Sequence, residues 1–307
     1  MNISRLLNEI KEIAKRKNAV ILAHNYQLPE VQEVADFVGD SLELSLKASE
    51  TQAEIIVFCG VYFMAETAAI ISPAKTVLIP DHTAGCPMAA MINVENVREL
   101  KRQHPQAKVV CYVNSTAAVK AESDICCTSS NALKVINSLT DTTEIIFIPD
   151  KYLGSYTQLK APGKKFIIWE GYCPTHVLIT SDDILKMKRK YPASLVMVHP
   201  ECKSEVVRLA NAVVSTGSMS AFAREKEAQE IIVGTEVGML HRLKKENPDR
   251  QFFPANTQAV CPNMKLITLE KIFWSLQDMI YPVKVEEPVR SKAKLAIDKM
   301  IALSKQD

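Results

Sequence analysis

Three cysteines, Cys86, Cys173 and Cys261, each stand directly before a proline, 87 and 88 residues apart. One cysteine-proline pair constrains little, but a period of this size imposes an internal threefold repeat on a chain of 307 residues. Shifts of 88 and then 87 residues also superimpose His24, Tyr112 and His199; Tyr26, Asn114 and Glu201; and Ser41, Ser129 and Thr216. The strings around the first two columns, VILAHNY, VVCYVNS and VMVHPEC, are apolar runs that end in hydrogen-bonding pairs. Stacked solenoid repeats have periods of about 20 to 50 residues. Each unit here is instead the size of a small domain.

Leucine and isoleucine at helical spacing predict an amphipathic helix at the start of each unit, near 3–17, 94–104 and 182–191. Short uninterrupted apolar runs follow at 19–24, 108–113 and 194–198, the pattern of strands covered on both faces. A second helix and a brief strand or turn then lead to Ser41, Ser129 and Thr216, each expected to open another helix. Two more strands complete each unit: IIVFC, EIIFI and EIIVG, then TVLIP, KFIIW and QFFPA. Strands alternating with helices argue for parallel sheets and right-handed crossovers. The expected fold class is α/β: three three-layer α/β/α domains with small parallel sheets, pseudo-threefold-related around a central cavity. Their expected limits are 1–88, 89–176 and 177–264, with a C-terminal helical tail at 265–307.

At 47% hydrophobic and 23% charged residues, the chain can bury a large core. Its 37 basic and 35 acidic residues leave a net charge of +2, and the basic string KMKRK at 186–190 reads as a solvated helix end. Neither nucleic acid nor an anionic membrane is called for. Residues 1–17 carry charges throughout, and no run reaches the roughly 18 apolar residues of a membrane span. A soluble cytoplasmic protein is expected. In such a reducing compartment the eight cysteines serve metal, catalysis or packing rather than disulfides.

In open parallel sheets, ligands bind beyond the carboxyl ends of the strands. The pairs His24 and Tyr26, Tyr112 and Asn114, and His199 and Glu201 lie there, and residues two apart on an extended chain point the same way. Ser41, Ser129 and Thr216, at helix starts, suit anions. Three thiolates from three domains suit an iron-sulfur cluster with one iron left open, because such clusters usually take four cysteines. No C-x-x-C pair occurs, which argues against zinc ribbons, thioredoxin chemistry and S-adenosylmethionine radical enzymes. His176, three residues after Cys173, is placed to reach the cluster or its ligand. Cys59, Cys111, Cys126, Cys127 and Cys202 lack repeat partners and are read as packing. The competing reading is a non-catalytic module that holds a dicarboxylate or phosphometabolite, with the cysteines on a structural metal.

The strings ILAHNYQLPEVQEVADFVGDSLELS, YVNSTAAVKAESDICCTSSNA, GYCPTH, VHPEC, STGSM and VGTEVGMLHRL together resemble the quinolinate synthase family, in its short form, nearly end to end. The resemblance implies one 4Fe-4S cluster on Cys86, Cys173 and Cys261 with one open iron site. It further implies condensation of iminoaspartate (iminosuccinate) with dihydroxyacetone phosphate to give quinolinate, phosphate and water in NAD biosynthesis. Functional coupling to an iminoaspartate-generating enzyme follows from that chemistry. Proton transfer falls chiefly to Glu201 and Tyr26, with His24 and His199 orienting substrate or sharing protons and Tyr112 contacting the ring precursor. Asn114 and the three hydroxyl residues then take the anionic groups. Two departures stand out: Cys261 is alone in VCPNM where some members carry C-x-x-C-x-x-C, and Tyr62 replaces a smaller polar residue in GVYFMAE.

Overall fold

The computed structural model describes residues 3–225 and 228–305. Its first repeat runs α1 (Ile3–Arg16), β1 (Ala19–His24), α2 (Pro29–Val34), β2 (Phe37–Gly39), α3 (Ser41–Glu50), β3 (Ile55–Cys59), α4 (Tyr62–Ile71) and β4 (Thr76–Leu78). The second follows the same order: α5 (Val94–Gln103), β5 (Lys108–Tyr112), α6 (Ala117–Ala121), β6 (Ile125–Cys127), α7 (Ala132–Ser138), β7 (Glu144–Ile148), α8 (Lys151–Lys160) and β8 (Lys165–Ile168). The third is α9 (Ser181–Lys190), β9 (Leu195–Val198), α10 (Ser204–Val207), β10 (Ala212–Val213), α11 (Thr216–Glu225), β11 (Glu230–Gly234), α12 (Met239–Glu246) and β12 (Gln251–Pro254). The tail adds α13 (Leu269–Asp278) and α14 (Val289–Ser304).

Each repeat builds one four-stranded parallel sheet, and the strand orders β2-β1-β3-β4, β6-β5-β7-β8 and β10-β9-β11-β12 are the same topology three times. The central strands β3 and β1 bury Ile56, Val57, Ile21 and Leu22, and their counterparts bury Ile145, Ile146, Val109 and Val110. Strands sheathed by helices on both faces have no polar face to show, which is why they read as unbroken apolar runs. One continuous core runs through the first two repeats and the tail and takes in Met197, Met219, Ile231 and Leu243 of the third; a smaller cluster around Ile184, Val196, Val198, Val206 and Ile232 completes the third.

The tail returns to the earlier repeats. Helix α14 packs on α6, β6 and α4, and α13 packs on α1. The strand-like turn between them covers the edge of β4, where the Val283 N–H donates to the Val77 carbonyl at 2.8 Å. That contact removes an edge open to pairing with another chain.

One helix start differs from expectation. Helix α7 begins at Ala132, three residues beyond Ser129. The Asn131 side chain folds back to accept from the Thr128 N–H at 2.7 Å, so Thr128 to Asn131 form a turn ahead of the helix.

Candidate functional site

All three Cys-Pro pairs sit in loops that the fold builds identically. A backbone N–H just beyond the third strand of each sheet, from Tyr62, Lys151 or Val237, donates to the carbonyl two residues before the cysteine. The acceptors are Ala84, Gly171 and Ala259, at 2.7, 2.8 and 3.0 Å. Proline then fixes φ for a short 3-10 turn, at Met88–Met91, His176–Leu178 and Met264–Leu266. The backbone amides that open these turns point at the sulfur atoms: those of Ala89 and Met88 at Cys86, of His176 at Cys173, and of Met264 and Asn263 at Cys261. Asn263 also donates to the Gly85 carbonyl at 2.7 Å, joining the first and third cysteine loops.

The three thiols line one cavity of about 140 Å³. Their exposure is to that cavity rather than to bulk water, so burial pushes all three up, Cys86 to about 12, against the pull of the amides. A thiolate here needs a neighbouring cation to stay ionised. Cys59, Cys111, Cys126, Cys127 and Cys202 are instead fully enclosed in sheets and core, as packing residues.

Every candidate read from the sequence lines the same cavity: His24, Tyr26, Ser41, Tyr112, Asn114, Ser129, His176, His199, Glu201 and Thr216 surround it with the cysteines. The paired columns work in detail. The Tyr26 N–H donates to His24 Nδ1 at 3.1 Å, and the Glu201 N–H donates to His199 Nδ1 at 3.4 Å. Each imidazole therefore carries its proton on Nε2, which is the nitrogen left to face other groups; His199 Nε2 lies 3.1 Å from Ser129 Oγ. Burial first, and then the His199 neighbour, lowers His24 to about 3; burial likewise lowers His199 to about 3. Both rings are neutral donors at ordinary pH.

A chain of proton-bearing groups crosses the cavity. Tyr112 donates to Glu201 Oε1 at 2.6 Å, and Glu201 Oε2 lies 2.7 Å from His176 Nδ1. The ring nitrogen makes no aligned hydrogen bond along that second line, so the two groups meet by proximity. On its other side, His176 Nε2 meets Thr235 Oγ1 at 2.9 Å, that hydroxyl meets Tyr26 OH at 2.6 Å, and Tyr26 OH also lies 3.3 Å from His176 Nε2 directly. Carboxylate, imidazole and hydroxyl thus stand in the order of a hydrolase triad, with a phenol at each end. Burial would raise Glu201, but His176, His199 and the Tyr112 hydrogen bond outweigh it and hold the carboxyl below its ordinary range. Burial and the Glu201 charge push both phenols well up, so Tyr26 and Tyr112 are protonated.

Two of the helices expected to open at a hydroxyl are capped one residue earlier. The cap of α3 is Asp40, whose side chain accepts from the Leu42 and Glu43 amides at 2.9 Å, and α11 is capped by Ser215. Ser41 and Thr216 are relieved of that task. Asp40 also accepts from Ser130 Oγ at 2.6 Å, and Ser130 meets Ser215 at 2.9 Å, so one residue from each repeat closes the junction. Asn114 Oδ1 is buried without a hydrogen-bond partner, an acceptor waiting for a donor from a bound molecule.

Sequence reading missed Thr235, Glu236 and Lys265, and it missed Asp40 although a signal was available. Asp40, Thr128 and Ser215 form a further polar column directly before Ser41, Ser129 and Thr216. Thr235 aligns with Gly60 and Ile148, so register could not expose it.

A threefold α/β scaffold places three cysteines and a carboxylate-imidazole-hydroxyl chain on one cavity, an arrangement of the kind enzymes use, and Cys173, His176 and Glu201 lie close enough together to share a metal ion. The family model described as quinolinate synthetase A protein matches residues 8–302. A quinolinate synthase of Dehalococcoides mccartyi is 56% identical over 297 residues, 97% of this chain and 98% of the relative. One of Thermodesulfovibrio yellowstonii is 50% identical over 98% of this chain and 99% of its own length, and quinolinate synthase 1 of Methanosarcina acetivorans is 50% identical over 99% of each. The chain belongs to the quinolinate synthase family.

Proposed function

We propose that the protein condenses iminoaspartate with dihydroxyacetone phosphate, releasing phosphate and water to form quinolinate for NAD biosynthesis in the cytoplasm. The observation that carries this reading is the meeting of three repeat-related cysteines and the Glu201-His176-Thr235-Tyr26 chain on one cavity.

Cys86, Cys173 and Cys261 would hold a 4Fe-4S cluster. The donor set fits: three sulfur ligands, each met by backbone amides, with no further cysteine in the cavity lining. With three protein ligands, such a cluster supplies one Lewis-acidic iron to the chamber. A structural zinc site wants four protein ligands, which the repeat does not offer.

The remaining chemistry belongs to side chains. The neutral Nε2–H of His199, the hydroxyls of Ser41, Ser129 and Thr216, and the Asn114 amide receive the substrates' phosphate and carboxylates. His24 offers the second neutral imidazole donor and orients substrate. Tyr112, fixed by its bond to Glu201, lies against the ring precursor. Carbon-carbon bond formation, imine closure and dehydration each move protons. Tyr26, kept protonated by burial, exchanges its proton through Thr235 with His176, whose far nitrogen faces the ionised Glu201. Enclosure excludes water, which protects the hydrolysable imine, and the lability of that substrate couples the protein functionally to the enzyme that makes it.

Supplying both substrates to anaerobically reconstituted protein and weighing the product tests the reading. Quinolinate and inorganic phosphate in equal amounts are expected. Binding of either substrate without turnover by iron-loaded protein would replace the synthase with the binding-module reading.

A further inference from the structure

Tyr26 is gripped at both ends by consecutive residues of the third repeat. Thr235 meets its hydroxyl, as described, and the next residue, Glu236, reaches its backbone through a lysine. Glu236 is 0% exposed. Its Oε1 accepts from the Cys261 N–H at 3.1 Å and lies 3.0 Å from Lys265 Nζ, while Oε2 accepts from the Gly238 N–H at 2.7 Å. Lys265 Nζ donates in turn to the Tyr26 carbonyl. One carboxylate and one ammonium therefore join the backbone of a cysteine that faces the cavity to the backbone of the tyrosine that ends the proton chain.

The surroundings are built to keep this arrangement. A Cβ at Gly238 would lie 2.8 Å from Glu236 Oε2, from Lys265 Nζ and from the Tyr26 carbonyl carbon, so only glycine lets these groups close together. Gln32 Nε2 donates to the carbonyls of Asn25, Gln27 and Gly238 at 3.0 to 3.2 Å, clamping the Tyr26 loop to the same segment. An apolar pair of the same volume would cost less to bury than two charges. What the ion pair adds is direction, since the two carboxylate oxygens accept from the Cys261 and Gly238 amides and the ammonium donates to the Tyr26 carbonyl. The Cys173 loop has a buried carboxylate of its own, Asp150, whose side chain faces the Cys173 amide but which is joined to no lysine by an ion pair among the described residues; the counterparts of Glu236 in the repeat register are Val61 and Pro149.

We propose that Glu236 and Lys265 are positioning residues that key the placement of Tyr26 to that of Cys261, so that the metal-binding loop and the proton chain come into register together. Glu236 borders the cavity, but the role assigned to both residues is exerted through the two backbones. The inference rests on the proposed role of Cys261 as a cluster ligand.

The test compares Glu236→Gln, which keeps the shape and drops the charge, with Lys265→Met, Lys265→Arg and the double variant Glu236→Gln/Lys265→Met, all after anaerobic reconstitution. Iron uptake and quinolinate formation by the unmodified protein check the underlying reading; their failure is a failure of that reading and not of the pair. Given both, Glu236→Gln should lose iron to a chelator about 10- to 100-fold faster than the unmodified protein, the range for residues that orient metal ligands. Lys265→Met should lower kcat by about 10-fold or more with KM little changed, and Lys265→Arg should recover most of it. The double variant should lose no more kcat than the worse single one, because the two act as a unit. Iron release and kcat within twofold of the unmodified protein in both single variants, or fully additive losses, would overturn the proposal. Should Glu236→Gln fail to fold, as judged by circular dichroism of the apoprotein, Lys265→Met and Lys265→Arg decide it by the same kcat-against-KM comparison.

Discussion

Glu201 accepts a phenol proton on one oxygen and faces an imidazole with the other, so the charge of one buried carboxylate is shared along a chain that ends on Tyr26. Interrupting that chain at its smallest member is the sharpest residue-scale test. Thr235→Val keeps volume but removes the hydroxyl that bridges Tyr26 and His176 and leaves only their longer direct contact of 3.3 Å, so kcat should fall by about 10-fold or more, short of the 10²- to 10⁴-fold worth of a general acid-base group itself. Glu201→Gln should cost that larger factor while leaving iron content intact. Turnover within threefold of the unmodified protein for either variant would remove that residue from the chemistry. Most groups legible in the sequence were those whose chemistry recurs at the repeat spacing, as with His24, Tyr112 and His199; His176 was read instead from its place three residues after Cys173. Thr235, Glu236 and Lys265 escaped because each breaks the symmetry of its column, and asymmetric chemistry on a symmetric scaffold leaves no periodic trace.

The repeated element that matters is the loop tying the end of each third strand to a Cys-Pro turn. Strand and helix order in these units was readable because covered strands and amphipathic helices have different periods. The tether was not, since it is made from backbone N–H and carbonyl groups that any residue supplies. Gly171 gives it one sequence mark: a Cβ there would lie 2.4 Å from the Pro149 carbonyl oxygen. Gly171→Ala should displace the Cys173 loop, destabilise the fold by about 1–3 kcal/mol and lower iron retention. Urea unfolding and iron content check both, and a variant that is normal in each would show the loop to be slack. Helix α7 marks the opposite failure. Ser129 looked like a helix start, but Asn131 spends its side chain on the Thr128 amide and delays the helix, which leaves Ser129 facing His199. At α3, where Asp40 both caps the helix and accepts from Ser130, Asp40→Ala should cost about 1–2 kcal/mol in the same unfolding measurement.

For the whole molecule, three repeats closing on one chamber bury two neutral histidines and an ionised glutamate among them, and stability must follow pH accordingly. Burial lowers His24 and His199 from 6.5 to about 3, so the unfolded chain binds protons that the folded one refuses as pH falls below about 6.5. The contribution of the two histidines should be flat above that value. It should then decline toward pH 4.5, each histidine contributing up to about 1.4 kcal/mol per pH unit. Below 4.5, protonation of Glu201 in the unfolded chain adds to the loss, because its folded form resists protonation. Burial raises Asp150 and Glu66, which act with the opposite sign, so the measure is the urea midpoint of a His24→Gln/His199→Gln variant relative to the unmodified protein between pH 5 and 8. The variant should gain on the unmodified protein as pH falls, and a difference that stays constant would contradict the buried neutral pair. The account as a whole rests on the three cysteines acting together, so the decisive measurement is iron and acid-labile sulfide per chain in anaerobically reconstituted protein. It predicts about four of each, lost when Cys86, Cys173 or Cys261 is changed singly to serine and kept when Cys202 is. Iron content that survives all three changes, or a chain that takes up zinc and no iron, would contradict it.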